Sequence, residues 1–257
     1  MKRVRSLVTS RPLARRPTTC GVQDSKNAER DDPRRSSAGS DVSVTPLRGY
    51  RRRMTEFDLH TADGLALEAR WDTPPTEPTR GIVFCHPHPL HGGTMTAPLM
   101  EKVTDHFVGA GAAVLRFNFR GIGRSQGGWG GGIGELDDVA AAVAAAQRAA
   151  ADVSVIGWSF GAGAALRWQA RDGDASTYVG IAPPIEDSSG NTLPAPGELR
   201  TARRTIIIGE RDQLISVDDS RDYAGSIGAG FEVLPASDHF FNYREEGLAA
   251  MVLAAFD

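Results

Sequence analysis

From residue 54 onward, apolar residues recur in two patterns. Glu56-Phe57-Asp58-Leu59-His60 alternates apolar and polar side chains, as does Leu65-Ala66-Leu67-Glu68-Ala69-Arg70-Trp71. A period of two predicts half-buried strands, and Asp63-Gly64 between them predicts a hairpin turn. Gly81-Ile82-Val83-Phe84-Cys85 is apolar throughout, as in a strand covered on both faces. A helix is predicted over 97–109, with Leu99, Val103, His106 and Phe107 on one stripe, and a strand over 112–119. The alanine-rich stretch 135–151, with acids at its start, predicts another helix. Strands at 152–156, 177–181, 205–208 and 231–234 then alternate with helices at 162–168, 216–227 and from Glu245. This order predicts a mainly parallel α/β sheet with an antiparallel N-terminal hairpin and helices on both faces. In such sheets, chemistry gathers at the carboxyl ends of the strands.

Residues 1–53 lack these patterns. They hold 14 Lys and Arg against 5 Asp and Glu, with Tyr50 as the lone aromatic. Such a segment cannot bury enough surface to offset its chain entropy, which predicts a disordered basic extension. It lacks the apolar stretch of a secretory signal, and Met54 opens the first strand directly, so the extension also fits an over-extended start. Residues 54–257 hold 15 basic and 27 acidic residues and form the catalytic domain of this reading. So acidic a body repels phosphate backbones and speaks against nucleic-acid partners. No apolar run reaches the roughly 20 residues of a membrane span. Cys20 and Cys85 make no disulfide framework; Cys85 reads as a packed core thiol, and the whole suits a cytoplasmic protein.

The most informative positions are Gly157-Trp158-Ser159-Phe160-Gly161, on a predicted strand-to-helix corner. Gly-x-Ser-x-Gly in that place is a nucleophile elbow: a sharp turn lifts the serine oxygen above the sheet edge. The pattern alone arises by chance on the order of 0.2 times in a chain this glycine-rich, so context must carry it. A serine needs a base, and the base needs an orienting acid. Asp212 follows the strand 205–208, and His239 lies in the loop after the last strand, which reproduces the chain order Ser…Asp…His of the α/β-hydrolase fold. Asp238 is the lesser acid candidate, because adjacent loop side chains rarely converge on one imidazole. Asp218 and Asp219 read as first-turn helix acids.

The loop after the third strand is His86-Pro87-His88-Pro89-Leu90-His91-Gly92-Gly93-Thr94. It is the expected source of an oxyanion donor, complementing the N–H of Phe160. Prolines 87 and 89 have no N–H, which leaves His88 as the favoured donor and Leu90 as the alternative. Three histidines in six residues also raise metal ligation, but Leu90 stands where the dinuclear His-x-His-x-Asp-His pattern needs an acid, so no metal is assigned. Ser125 is a rival serine within Gly123-Arg124-Ser125-Gln126-Gly127, but that stretch is a glycine-rich turn and not a predicted strand-to-helix corner, and it reads as a backbone support. The glycines at 121–134 lack both the third glycine of a dinucleotide motif and a Lys-Ser/Thr pair.

The segments Phe84–Met95, Leu115-Arg116-Phe117-Asn118-Phe119-Arg120-Gly121-Ile122-Gly123-Arg124-Ser125, the elbow and Asp238-His239-Phe240-Phe241 together resemble a group of small, lid-poor bacterial α/β-superfamily hydrolases. The resemblance covers residues 54–257 and implies an α/β-hydrolase fold and a triad, but no substrate. Trp158 stands where relatives often carry another aromatic. Only about 20 residues, 182–203, separate the strands between which a cap would be inserted, so no substantial cap domain is expected. The reading is a serine hydrolase of carboxylic esters or thioesters with short acyl groups, needing no cofactor and leaving oligomeric state open. Its alternatives are a non-catalytic small-molecule-binding protein on the same scaffold and a metal-dependent hydrolase built on His86, His88 and His91.

Overall fold

The computed structural model describes residues 52–256. The readings of disorder, of an over-extended start and of Cys20 fall outside the described residues.

Eight strands form one sheet in the order β1-β2-β4-β3-β5-β6-β7-β8. The predicted hairpin is β1 (Arg53–His60) and β2 (Ala66–Thr73), antiparallel from Arg53↔Thr73 to His60↔Ala66. The folded chain thus takes in Arg53, and Arg52 bonds to Glu101 and Asp105, one residue or two before the boundary read from composition. β2 is also antiparallel to β4 (Ala113–Phe117), whereas β3 (Gly81–Cys85), β5 (Val153–Trp158), β6 (Tyr178–Ile181), β7 (Arg204–Gly209) and β8 (Gly230–Leu234) continue in parallel. β3, β4 and β5 are buried along their whole length, which explains the unbroken apolar run of β3 and the largely apolar β4 and β5, interrupted by Arg116 and Ser154.

Two apolar cores flank the sheet. One packs α1 (Pro98–Gly109) and α5 (Glu245–Ala254) against it through Leu99, Val103, Phe107, Leu248 and Val252. His106, placed with that stripe by sequence, is only half-buried and pairs with Glu246 at its edge. The other core holds α2 (Glu135–Ala149) and α3 (Phe160–Asp172) through Leu136, Val139, Leu166 and Trp168. α4 (Val217–Ser226) lies between β7 and β8 in sequence, and Asp218 and Asp219 occupy its first turn, as expected. Cys85 is fully buried, and burial pushes its thiol pKa well up.

From β3 the chain moves outward to β4, then crosses back to β5 on the other side of β3. The crevice between the carboxyl ends of β3 and β5 is therefore the switch point where open α/β sheets place their chemistry. Cys85↔Gly157 is the last pair before it, so the loop after β3 and the elbow after β5 emerge side by side. Between β6 and β7, residues 182–203 form a strap with one short 3-10 helix, Pro196–Glu198, and one isolated bridge, Glu186↔Thr192; among the described residues there is no cap.

Candidate active site

β5 runs into Trp158, and α3 begins at Phe160, leaving Ser159 alone on the corner with φ 51° and ψ −119°. A non-glycine residue in that region is strained. The strain is held by the Ser159 N–H, which donates to Ile181 O at 2.7 Å, and by the Ser159 carbonyl, which accepts from Ala162 N and Gly163 N. Both flanking glycines are required by close approach. A Cβ at Gly157 would strike the Ala162 backbone, and one at Gly161 would strike the carbonyls of Cys85 and His86.

His239 Nε2 lies 3.0 Å from Ser159 Oγ, and His239 Nδ1 lies 2.8 Å from Asp212 Oδ2. Nδ1–H donates to the carboxylate, so Nε2 is free to accept the serine proton. Asp212 Oδ1 accepts from Leu214 N and Ile215 N at 2.9 and 2.8 Å, which orients the carboxylate and meets its charge with three donors. The Asp212 side chain is fully buried. Gln213 Oε1 accepts from His239 N, and Trp158 Nε1 donates to His239 O at 3.4 Å. Asp238 points elsewhere, accepting from Phe240 N, Asn242 N and the Asn242 amide.

The loop after β3 is held from within. His88 O accepts from His91 N and Gly93 N, both at 3.0 Å, and a Cβ at Gly93 would strike Pro87 O. His88 Nδ1 accepts the Leu90 N–H at 3.2 Å, and Nε2–H donates to Ser188 Oγ of the strap at 3.0 Å. That engagement removes Leu90 as an oxyanion donor and leaves its side chain exposed in a 3-10 turn, Pro89–His91. Among the described residues, no acceptor engages the backbone N–H of His88 or of Phe160, the latter being the first residue of α3, where helical donors lack partners.

His86 lies beneath this loop, fully buried, with both ring nitrogens engaged by Pro87 O and Phe119 N. Burial pushes its pKa down to about 4. Burial also lowers the pKa of His88, and His91, whose ring stacks at 4.4 Å, lowers it further. Two of the three clustered histidines thus spend their nitrogens on protein partners. Among the described residues, no three His, Cys, Asp or Glu side chains are grouped to hold a metal ion.

Sequence reasoning missed Trp129. Its indole packs 4.9 Å from His88 and 5.2 Å from Phe160, supporting both residues whose N–H groups are free. In the glycine-rich stretch after it, Gly130 N and Gly132 N donate to the buried Glu135 carboxylate. Ser125 Oγ donates to Asn118 O and accepts from Glu68 N, the support role expected of it.

Ser159 and His239 open into a cleft of about 470 Å³, bounded by Trp158, Leu214, Phe240, Ala97, His88 and His91. Among the described residues, no helix is long and apolar enough to cross a membrane.

The sequence pattern of the serine aminopeptidase S33 family matches residues 78–206, about half of the 257-residue chain, a stretch that includes Ser159. An uncharacterized protein of Rickettsia prowazekii (strain Madrid E) is 30% identical over 188 residues, covering 66% of this chain and 76% of that one. An α/β serine hydrolase homologue from Coxiella burnetii superposes with a TM-score of 0.70 at 26% identity, covering 79% of this chain and 97% of its own. An α/β serine hydrolase without lid from Xanthomonas campestris gives 0.67 at 24% identity over 79% and 93%, a likeness of fold.

Proposed function

Because the chain belongs to the serine aminopeptidase S33 family of α/β hydrolases, we propose that it is a serine hydrolase acting on carboxylic esters or thioesters through Ser159, His239 and Asp212. The observation that carries this reading is the continuous hydrogen-bonded run from Asp212 through His239 to Ser159, at 2.8 and 3.0 Å. Ser159 Oγ attacks the substrate carbonyl as His239 Nε2 takes its proton, and Asp212 stabilises the imidazolium. The oxyanion is held by the N–H groups of Phe160 and His88. Collapse of the tetrahedral intermediate breaks the bond to the alcohol or thiol, which leaves with the proton from His239. Water, deprotonated by the same imidazole, then releases the acid and frees Ser159.

A cleft uncapped among the described residues favours short acyl groups, since no described segment folds over a long chain. A panel of p-nitrophenyl esters and acyl-CoA thioesters of graded length tests the reading. The expected result is turnover of the shorter acyl groups that falls by roughly 10⁴–10⁶-fold in Ser159→Ala. Undiminished turnover in that variant would remove Ser159 from the mechanism.

A further inference from the structure

The cleft beside Ser159 has apolar walls and, among the described residues, no carboxylate in its lining. Trp158, Leu214, Phe240 and Ala97 line it with hydrocarbon and aromatic surface, and its polar edge is formed by the imidazoles of His88 and His91. Leu214 and Phe240 are 61% and 47% exposed, so their apolar faces stand open at the mouth. A peptidase that trims amino termini must seat the substrate's ammonium one bond from the scissile carbonyl, which calls for an acid nearby. A cation held in an apolar site without a counter-charge is strongly disfavoured.

Three carboxylates on the surrounding loops, Asp212, Asp238 and Asp187, are already committed. Asp212 receives three donors, two from backbone and one from His239. Asp238 receives two backbone N–H groups and the Asn242 amide. Asp187, in the strap, is buried against Arg167 and accepts from Ser189 N and Asn191 N.

We infer that this cleft selects substrates whose group next to the scissile carbonyl is uncharged and apolar, seated against Trp158, Leu214 and Phe240, and that it rejects α-amino acyl substrates despite the aminopeptidase description of its family. The inference rests on the hydrolase reading above and narrows its substrate class.

The test uses two p-nitrophenyl esters of one carbon skeleton, 4-methylpentanoate and L-leucine, which differ only by the ammonium. Each kcat/KM is divided by that ester's hydroxide-catalysed rate. At pH 6 the neutral ester should be favoured by about 100-fold, and the ratio should narrow as rising pH deprotonates the amine. Leu214→Glu sets a carboxylate at the exposed wall and should narrow the pH 6 ratio at least about 10-fold. A wild-type ratio below about 10, or one that Leu214→Glu leaves unchanged, overturns the inference and leaves the hydrolase reading intact. Labelling of Ser159 by a fluorophosphonate with turnover of neither ester does the same. Absence of both labelling and turnover overturns the hydrolase reading, and this inference falls with it.

Discussion

The backbone N–H of Phe119 donates to Nε2 of His86 at 3.0 Å, while Nδ1–H of the same ring donates to Pro87 O at 2.6 Å. These two bonds tie the exit of β4 to the loop that offers the His88 N–H, and they hold His86 neutral in one tautomer. Burial lowers its pKa to about 4, against the ordinary histidine value near 6.5. Between those values the unfolded chain binds a proton that the folded chain refuses. Stability is therefore complete above pH 6.5 and declines as pH falls toward 4. This group should remove about 2 kcal/mol between pH 8 and pH 5. Urea denaturation of wild type and His86→Gln at both pH values checks it: the gap between the two proteins should shrink by that amount on acidification. A gap that stays constant contradicts the neutral His86.

His88 has φ −54° and ψ 121°, a backbone that proline adopts without strain. His88→Pro therefore deletes the N–H while keeping the path of the loop. Its kcat should fall by about 10²–10³-fold with KM little changed, as expected for loss of one oxyanion donor. His88→Ala keeps the N–H but, like His88→Pro, loses the ring with its contacts to Trp129, His91 and Phe160 and its hydrogen bonds to Leu90 N and Ser188 Oγ, and should cost far less in kcat. Equal losses in the two variants would show that the ring, not the N–H, matters.

Ser125 is buried and bridges two strands, accepting from Glu68 N at 2.9 Å and donating to Asn118 O at 2.7 Å. Ser125→Ala leaves a buried donor and a buried acceptor short of one partner each and should cost about 1–3 kcal/mol of stability. Activity-based labelling of the folded variant should match wild type. A variant of unchanged stability that loses labelling would make Ser125 a reacting group.

The strands and helices were legible because burial on one or both faces writes its own period into the chain. The two-residue alternation of β1 and the apolar runs of β3 and β4 match the observed burial, and that of β2 does so as far as Ala69, beyond which Trp71 is half-buried and Asp72 buried. Even so, Arg116 interrupts the run of β4, and it is fully buried, paired with Asp72 at 2.7 Å and with Glu101 across to α1. Nothing local in the sequence announces that partnership, since Asp72 lies on another strand. The elbow, Asp212 and His239 were legible because each follows a strand end, where the backbone has left the ladder and side chains face the crevice. Trp129 was not, because a lone indole in a glycine-rich loop has no period to fix its direction. Ser188 meets His88 across a hundred residues, a contact that only the folded strap creates. The choice between Leu90 and His88 as donor also depended on folding, since it turns on which N–H the His88 ring captures.

The central claim is that Ser159, activated by His239 and Asp212, is the nucleophile. The most direct measurement is labelling of the full chain by a fluorophosphonate probe, with the adduct located by peptide mass spectrometry. Wild type should carry one adduct, on Ser159, and Ser159→Ala should carry none, with Asp212→Asn labelled far more slowly. Equal labelling of wild type and Ser159→Ala, or an adduct on another residue, would contradict the account.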